Sequence, residues 1–528
     1  MAAATAAPAG RKRRRRARSG RTAKMRHADV TVIGAGLAGC EAAWQASLLG
    51  ATVTLADMKP SRLTAAHASP DFAELVCSNS LGANSIESAK GLLKQELREL
   101  GSLVIECADR TSVPAGGALA VDRALFARLV TEKIKSCGRI FIHCGEAEEI
   151  PDCVACIVAT GPLTSAPMAS AIARLLGQDN LYFFDAAAPI VERASIDESR
   201  TFLASRYGKG ARAGAGAGAG GAASAGSNPE SSNPESPNPE SPDPEGPDPE
   251  GDYINCPMDR QQYERFVSEL LRAETAEVEG FEDGMLYEGC MPLESMAKRG
   301  FDALRFGPLK PKGLIDPATG REPYAVAQLR RDNAEGTLYN LVGFQTRLRF
   351  GEQRRVFGLL PGLERAEFAR YGVMHRNTFI RSPGMLDARY ALRAGAAGAS
   401  GAAGAYGASA AYGAAGALYF AGQLAGVEGY AESVSSGLVA GINAAMGALG
   451  GGRRPVLFPA HTLTGALARH VSAYAGRDFQ PMGASFGILD PPQGGGGRLK
   501  KRERHRLLAE RSLDAARQLR LRLEKEWT

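Results

Sequence analysis

"DVTVIGAGLAGCEAAWQASLLGATVTLADMKP", residues 29–60, decides the fold. A short apolar run reads as a strand, "GAGLAG" as a glycine turn, and the Ala-rich segment after it as a helix. Ala38, Ala42, Ala43, Ala46 and Leu49 lie on one side of that helix, Gly50 stops it, and a second apolar strand ends at Asp57. This is a βαβ unit, and Gly34, Gly36 and Gly39 match G-x-G-x-x-G in the context the motif requires. The first glycine allows a tight turn, the second lets a pyrophosphate approach the backbone, and the third permits close packing of helix on sheet. N–H groups from Gly34 to Gly39, with Ala35, Leu37 and Ala38 between the glycines, are expected to face the phosphates at the helix start. Asp57 stands about twenty residues on, where a carboxylate accepts from ribose hydroxyls.

The distant stretch "LYFAGQLAGVEGYAESVSSGLVAGINAA", residues 418–445, reads as a strand ending at Gly422, a glycine-interrupted loop and a small-residue helix. A second backbone segment of this kind suits the far end of an extended cofactor, which favours FAD over NAD as the resident dinucleotide. The expected fold is α/β, a Rossmann-like FAD-binding domain with an inserted α/β substrate domain.

Around this body the 528-residue chain carries segments of a different character. Residues 11–26, "RKRRRRARSGRTAKMR", hold ten Lys and Arg and no acid, and residues 228–252 hold eight Asp and Glu and no base, so the net charge of +6 describes neither. A basic arm (1–27) is read first as a solvated, disordered tail, next as a nucleic-acid contact and last as an organelle-targeting segment. Gly, Ala and Ser from 210 run into a five-residue repeat of Pro and acid, a composition that buries too little apolar surface to order itself, giving a disordered insert at 209–252. A second low-complexity insert occupies 394–417. The expected division is 28–160 as the first part of the FAD-binding domain, 161–334 as the inserted substrate domain, 335–450 as the second part, and 451–528 as a helical tail. In the tail Leu508, Ala515, Leu519, Leu523 and Trp527 form an apolar stripe under a charged face, suited to docking on the body with its arginines outward.

Nine cysteines, an odd number with no signal-peptide core before them, point to free thiols in a reducing, cytoplasmic setting, and no stretch approaches a membrane span. Cys153 and Cys156 form a C-x-x-C with Cys137 and Cys144 upstream, but the pair runs into a strand rather than a knuckle turn. No metal site is expected there; these four are read as ordinary core thiols, and Cys40 and Cys256 stay unassigned. In "AELVCSNS", residues 73–80, Cys77 stands between an apolar pair and a polar cluster; from the bare sequence it is either a reagent or a small buried side chain.

The blocks "GAGLAGCEAAWQ", "FAELVCSNSLGANS", "CADRTSVPAGGALAVDR", "YINCPM", "YEGCMPLESMAKRG", "RFGPLKPKGL", "YGVMHRNTFI" and "FAGQLAGVEGYAESVSSGLVAGINAA" occur in one order. Together the sequence resembles the folate- and FAD-dependent tRNA (uracil-5-)-methyltransferases, bacterial enzymes that form ribothymidine in the T loop. The arm and the two inserts depart from the family pattern. The resemblance implies tRNA as substrate, 5,10-methylenetetrahydrofolate as carbon donor, FAD as reductant, NADH or NADPH to recharge it, and no obligate protein partner. It also implies that Cys290 and Cys77 are the catalytic thiols. Cys290 is assigned to addition at C6 of uracil, which makes C5 nucleophilic, and Cys77 to proton transfer or to handling the flavin-bound one-carbon unit. His375 and Arg376 are either contacts to folate or flavin, or a hydrogen-bonded loop pair. The basic, aromatic-interleaved segments 305–314 and 328–355 suit phosphate contacts with stacking on an unpaired base. Competing readings are the flavoprotein that modifies the wobble uridine of tRNA, and an RNA-binding scaffold holding FAD as a structural ligand.

Overall fold

The computed structural model describes residues 28–64, 66–177, 181–208, 251–277, 291–393, 417–476, 479–491 and 500–527. The basic arm, the acidic repeat to residue 250, the second insert to residue 416 and Cys290 lie outside the described residues.

Five parallel strands form the first sheet, in the order Ala417–Phe420, Ala155–Val158, Val30–Ile33, Val53–Asp57, Ile140–Cys144. The central Val30–Ile33 strand is buried throughout, as a parallel strand covered on both faces must be. The helix Leu37–Leu48 that follows is buried on nearly every side, not along one stripe as its alanines suggest. The sheet covers one side, and the long helix Tyr430–Leu449 crosses another at backbone contact. A methyl at Gly437 would stand 2.2 Å from the Ala38 carbonyl oxygen, and one at Gly441 2.4 Å from that of Ala42. The G-x-x-x-G spacing within "GLVAG" is what lets the two helices meet so closely.

The second sheet is antiparallel, in the order Phe202–Leu203, Tyr253–Met258, Ala325–Arg331, Leu338–Leu341, Ile190–Glu192, Phe368–Arg370. It covers its own core of Tyr263, Phe266, Phe344, Phe357 and Leu329, with the amphipathic helix Arg260–Arg272 packed beneath. Its limits differ from the expected ones. A border at 334 would cut the hairpin in which Arg330 pairs with Asn340, and strand pairing carries this sheet to Arg370. At the other end, the helix Ala166–Leu176 buries Met168, Ile172 and Leu175 in the first core, so that core extends past 161. An antiparallel ribbon of Leu181–Ala186 with Met374–Phe379 carries the chain from one sheet to the other and back.

The tail helix Lys501–Trp527 buries Leu508, Ala509, Leu519 and Leu523. It is tied to the helix Ala89–Glu99 by Arg517 to Glu99 at 3.0 Å and by the Ser512 hydroxyl donating to buried Glu96. No helix among the described residues is long and apolar enough to cross a membrane.

Candidate active site: a glycine cradle and a cysteine loop

The three glycines divide the work the motif assigns them. Gly34 has φ +100°, and a methyl there would meet the Ala159 carbonyl oxygen at 2.5 Å, so this position requires glycine on both counts. A methyl on Gly39 would stand 1.8 Å from the Gly34 carbonyl oxygen; this is the close approach of helix to turn. Around Gly36 a methyl would meet nothing within 4 Å. The middle glycine therefore opens onto free space at the start of a helix whose N-cap, being Gly36 itself, supplies no side-chain acceptor to the first-turn N–H groups. A pyrophosphate fits that cradle in both shape and charge. Gly422 has φ +76° and lies against Ala38, with a methyl there 3.2 Å from the Ala38 Cβ, so the second glycine segment does reach the first. Asp57 already accepts from the Ala35 N–H at 2.6 Å and the Lys59 N–H at 2.8 Å, one on each oxygen. It braces the turn, and each oxygen keeps a lone pair for a ribose hydroxyl.

The cysteine loop is bonded to this cradle: the buried Ala73, at φ +51°, donates its N–H to the Ala35 carbonyl at 2.9 Å. Four residues further, the N–H groups of Cys77 and Ser78 both donate to the Tyr430 hydroxyl, at 3.0 and 3.2 Å. Burial raises the Tyr430 phenol well above its ordinary pKa, so it stays neutral and accepts from both. From the second sheet Arg330 reaches across, Nε donating to Asn79 Oδ1 at 2.9 Å and Nη2 to Ser78 Oγ at 2.7 Å. Arg123 donates to the Leu75 carbonyl at 2.5 Å and pairs with Asp332 at 2.9 Å, their side chains 11% and 5% exposed. Two guanidinium groups thus hold the loop that carries the half-buried Cys77, one at Leu75 and one at Ser78 and Asn79. The thiol itself faces the Ala186 carbonyl at 3.8 Å, at the end of the ribbon between the sheets.

Cys290 lies outside the described residues, but both roots of its segment are placed. Ala276 N–H donates to the Arg347 carbonyl at 2.8 Å and Leu293 N–H to the Gln345 carbonyl at 2.7 Å. Buried Glu294 accepts from Thr346 Oγ1 and the Arg347 N–H, each at 2.9 Å, and burial raises its pKa. The strip 345–347 is in turn packed on the ribbon, since a methyl on Gly372 would meet both the Ala187 carbonyl oxygen and the Thr346 methyl, at 2.7 and 2.8 Å. His375 and Arg376 lie in the ribbon strand opposite Asp185 and Phe184. Cys156 and Cys256 are fully buried in the strands Ala155–Val158 and Tyr253–Met258, and Cys40 is buried in the first helix. Among the described residues no group of three or more His, Cys, Asp or Glu is arranged to hold a metal ion.

Sequence reasoning passed over Tyr430 and Arg123, and took Arg330 and Asp332 only as members of the basic segment 328–355, whereas Arg330 is buried at 7% exposure and bonded to Asn79 and Ser78. Only "SVSSGLVAG" carried a usable signal, its glycine spacing marking the helix that delivers Tyr430.

A family model described as glucose inhibited division protein A matches residues 29–215 and 231–451. Methylenetetrahydrofolate–tRNA-(uracil-5-)-methyltransferase TrmFO of Acetivibrio thermocellus is 51% identical over 461 residues, covering 87% of this chain and 92% of that protein. The protein of the same name from Exiguobacterium sibiricum is 47% identical over 486 residues, covering 92% and 98%. Two crystal forms of Aquifex aeolicus GidA share the fold, at TM-scores of 0.60 and 0.61 and 16% identity, over 94% and 95% of this chain and 73% and 77% of theirs. Fold and cradle together define a Rossmann-type α/β protein of the FAD-binding class. Within that class, the chain belongs to the family of methylenetetrahydrofolate–tRNA-(uracil-5-)-methyltransferases.

Proposed function

We propose that the protein is a cytoplasmic tRNA methyltransferase that forms 5-methyluridine at the T-loop uridine, with Cys290 and Cys77 as its catalytic thiols. The observation that carries this reading is the position of the Cys77 loop, bonded to the glycine cradle through Ala73 and to the second sheet through Arg330. When bound, FAD supplies reducing equivalents, recharged by NADH or NADPH, and 5,10-methylenetetrahydrofolate supplies the carbon.

The glycine cradle from Gly34 to Gly39, with Asp57 and Gly422, holds the dinucleotide. Cys290 adds as thiolate to C6 of the uracil; the C–S bond forms, the ring electrons move onto O4, and C5 becomes the nucleophile. After the carbon is joined to C5, a base removes the C5 proton as the bond from that carbon to its donor breaks, and two reducing equivalents with a proton would convert the resulting methylene to methyl as the C6–S bond breaks, returning the thiolate. Cys77 serves that proton transfer or handles the one-carbon unit, in a loop fixed by Tyr430, Arg330 and Arg123.

The test uses tRNA carrying 5-fluorouridine at the target position, because fluorine cannot leave as a proton does and elimination stalls. The wild type and Cys77→Ala are expected to form a covalent RNA adduct on a denaturing gel, Cys290→Ala none, and neither variant is expected to methylate ordinary tRNA. If both variants formed the adduct and methylated normally, the thiol assignment would be wrong.

A further inference from the structure

Three aromatic rings on the surface of the second sheet's domain are stacked as a ladder. Phe350 and Tyr371 lie 4.7 Å apart at 17°, Tyr371 and Phe368 5.2 Å apart at 6°. The fully buried pair of the same domain, Phe344 with Phe357, is arranged differently, edge to face at 81°. Edge-to-face contact is a usual solution inside a core, whereas near-parallel stacking is the geometry in which nucleobases meet aromatic side chains. The ladder ends in water: Phe350 is 54% exposed, with Tyr371 and Phe368 half-buried beneath it.

Its flanks are cationic. The exposed Arg354 donates to the Tyr371 hydroxyl, its guanidinium carbon 5.9 Å from the ring centre. Arg349 pairs with Glu274 at 2.9 Å, but the two side chains are 59% and 70% exposed, and so open a pair is easily exchanged for a phosphate. Arg355 differs, being held by both Glu352 and Glu269.

The ladder is rigid and continuous with the candidate site. Gln353 donates to the Leu348 and Gly372 carbonyls at 2.7 and 2.8 Å and accepts from the Gly372 N–H, clamping the segments that carry Phe350 and Tyr371 together. Residues 345–347, which hold both roots of the Cys290 segment, are joined to Phe350 by Leu348 and Arg349, while Val373 bonds to Ala187 beside the Cys77 thiol's neighbour Ala186.

We propose that the exposed face of Phe350 is a stacking platform for an unpaired base of the tRNA next to the target uridine, with Arg349 and Arg354 on the flanking phosphates. The proposal rests on the tRNA-methylating reading above and adds the place where the RNA loop is gripped. An unpaired base suits the site because RNA loops present bases splayed from their helices, and stacking needs no particular base identity.

The test measures the affinity of the FAD-loaded wild type, Phe350→Leu and Phe350→Trp for an unmodified tRNA transcript. The same proteins are titrated with a T-arm RNA bearing 2-aminopurine at an unpaired position beside the target. Leucine keeps the apolar contact with Tyr371 and lacks the π-face, so affinity is expected to fall about tenfold. KM for tRNA should rise in parallel, with flavin content and NADPH reduction of the flavin unchanged. Tryptophan is expected to restore wild-type binding or exceed it, and fluorescence quenching of the 2-aminopurine to follow the same order. Equal binding by all three proteins would overturn the platform, and equal weakening by Leu and Trp would make Phe350 a packing residue and also overturn it. A wild type that binds the RNA with this ring dependence but transfers no carbon would sink the methyltransferase reading and leave the platform standing.

Discussion

The glycine loop and the cysteine loop touch through a single backbone bond, yet they are built in opposite ways. The bond that fixes Asp57 to the turn spans 22 residues, within one βαβ unit. Cys77 is held across 353 residues by Tyr430, Ser78 across 252 by Arg330, and the thiol meets Ala186 across 109. A cofactor cradle can be complete in a short stretch because its ligand is gripped by backbone. A reactive side chain has to be aimed, and the groups that aim it come from wherever the fold brings them.

That contrast can be broken by experiment, and the largest effect is expected on the cysteine side. Arg123→Met leaves buried Asp332 without its partner and frees the Leu75 carbonyl. Loss of about 3–5 kcal/mol of stability in urea denaturation is expected, because one member of a buried pair remains uncompensated. Methylation should fall with it as the Cys77 loop loosens. An unchanged denaturation midpoint would mean that the loop does not depend on the pair.

Within the glycine loop the prediction separates two glycines of one motif. Gly39→Ala places a methyl inside the turn and is expected to cost about 3 kcal/mol, as overpacking of a close contact does. Gly36→Ala has room, so the apoprotein should melt within ~2 °C of wild type, while FAD affinity falls about tenfold because the methyl occupies the pyrophosphate's approach. Flavin titration with thermal melts of the apoproteins distinguishes them; equal melting losses would join the two roles the structure divides.

A smaller effect is expected at the junction of the regions. Glu428, just before the helix that carries Tyr430, has its carboxyl raised to about 8 by burial and then by the nearby Asp185. The folded state therefore holds a proton that the unfolded chain releases near pH 4.5, and the stability this group contributes is lost as pH rises from about 4.5 to about 8 and is level beyond. Glu428→Gln should flatten that part of the apoprotein's melting temperature against pH. A slope that persists would place the proton elsewhere.

The smallest effect is expected from deleting residues 213–250. The described chain on either side of that segment is paired, with Ala204 N–H donating to the Tyr253 carbonyl at 3.1 Å. Shortening the connection should change stability by only about 1 kcal/mol, in the stabilising direction, because closure entropy varies slowly with loop length. Loss of turnover would show that the insert contacts the substrate.

Residues 29–60 by themselves determined the first sheet's central strands, the three glycines and Asp57, because strand, turn and helix signals follow one another without interruption. The sequence also marked Cys77 and Cys290 as residues to weigh and placed Gly422 on the second segment. Only the tertiary structure decided the rest. The border drawn at 334 cuts a local hairpin, Arg330 pairing with Asn340, and could not foresee that this hairpin pairs on with the distant strands Ile190–Glu192 and Phe368–Arg370. The first helix was read as one-sided because its second cover, the helix Tyr430–Leu449, is nearly four hundred residues away. Tyr430 and Arg123 carry no local pattern, and the basic segment around Arg330 suggested phosphates rather than this loop: each becomes part of the site only where packing of two cores sets its hydroxyl or guanidinium within hydrogen-bonding distance of one loop.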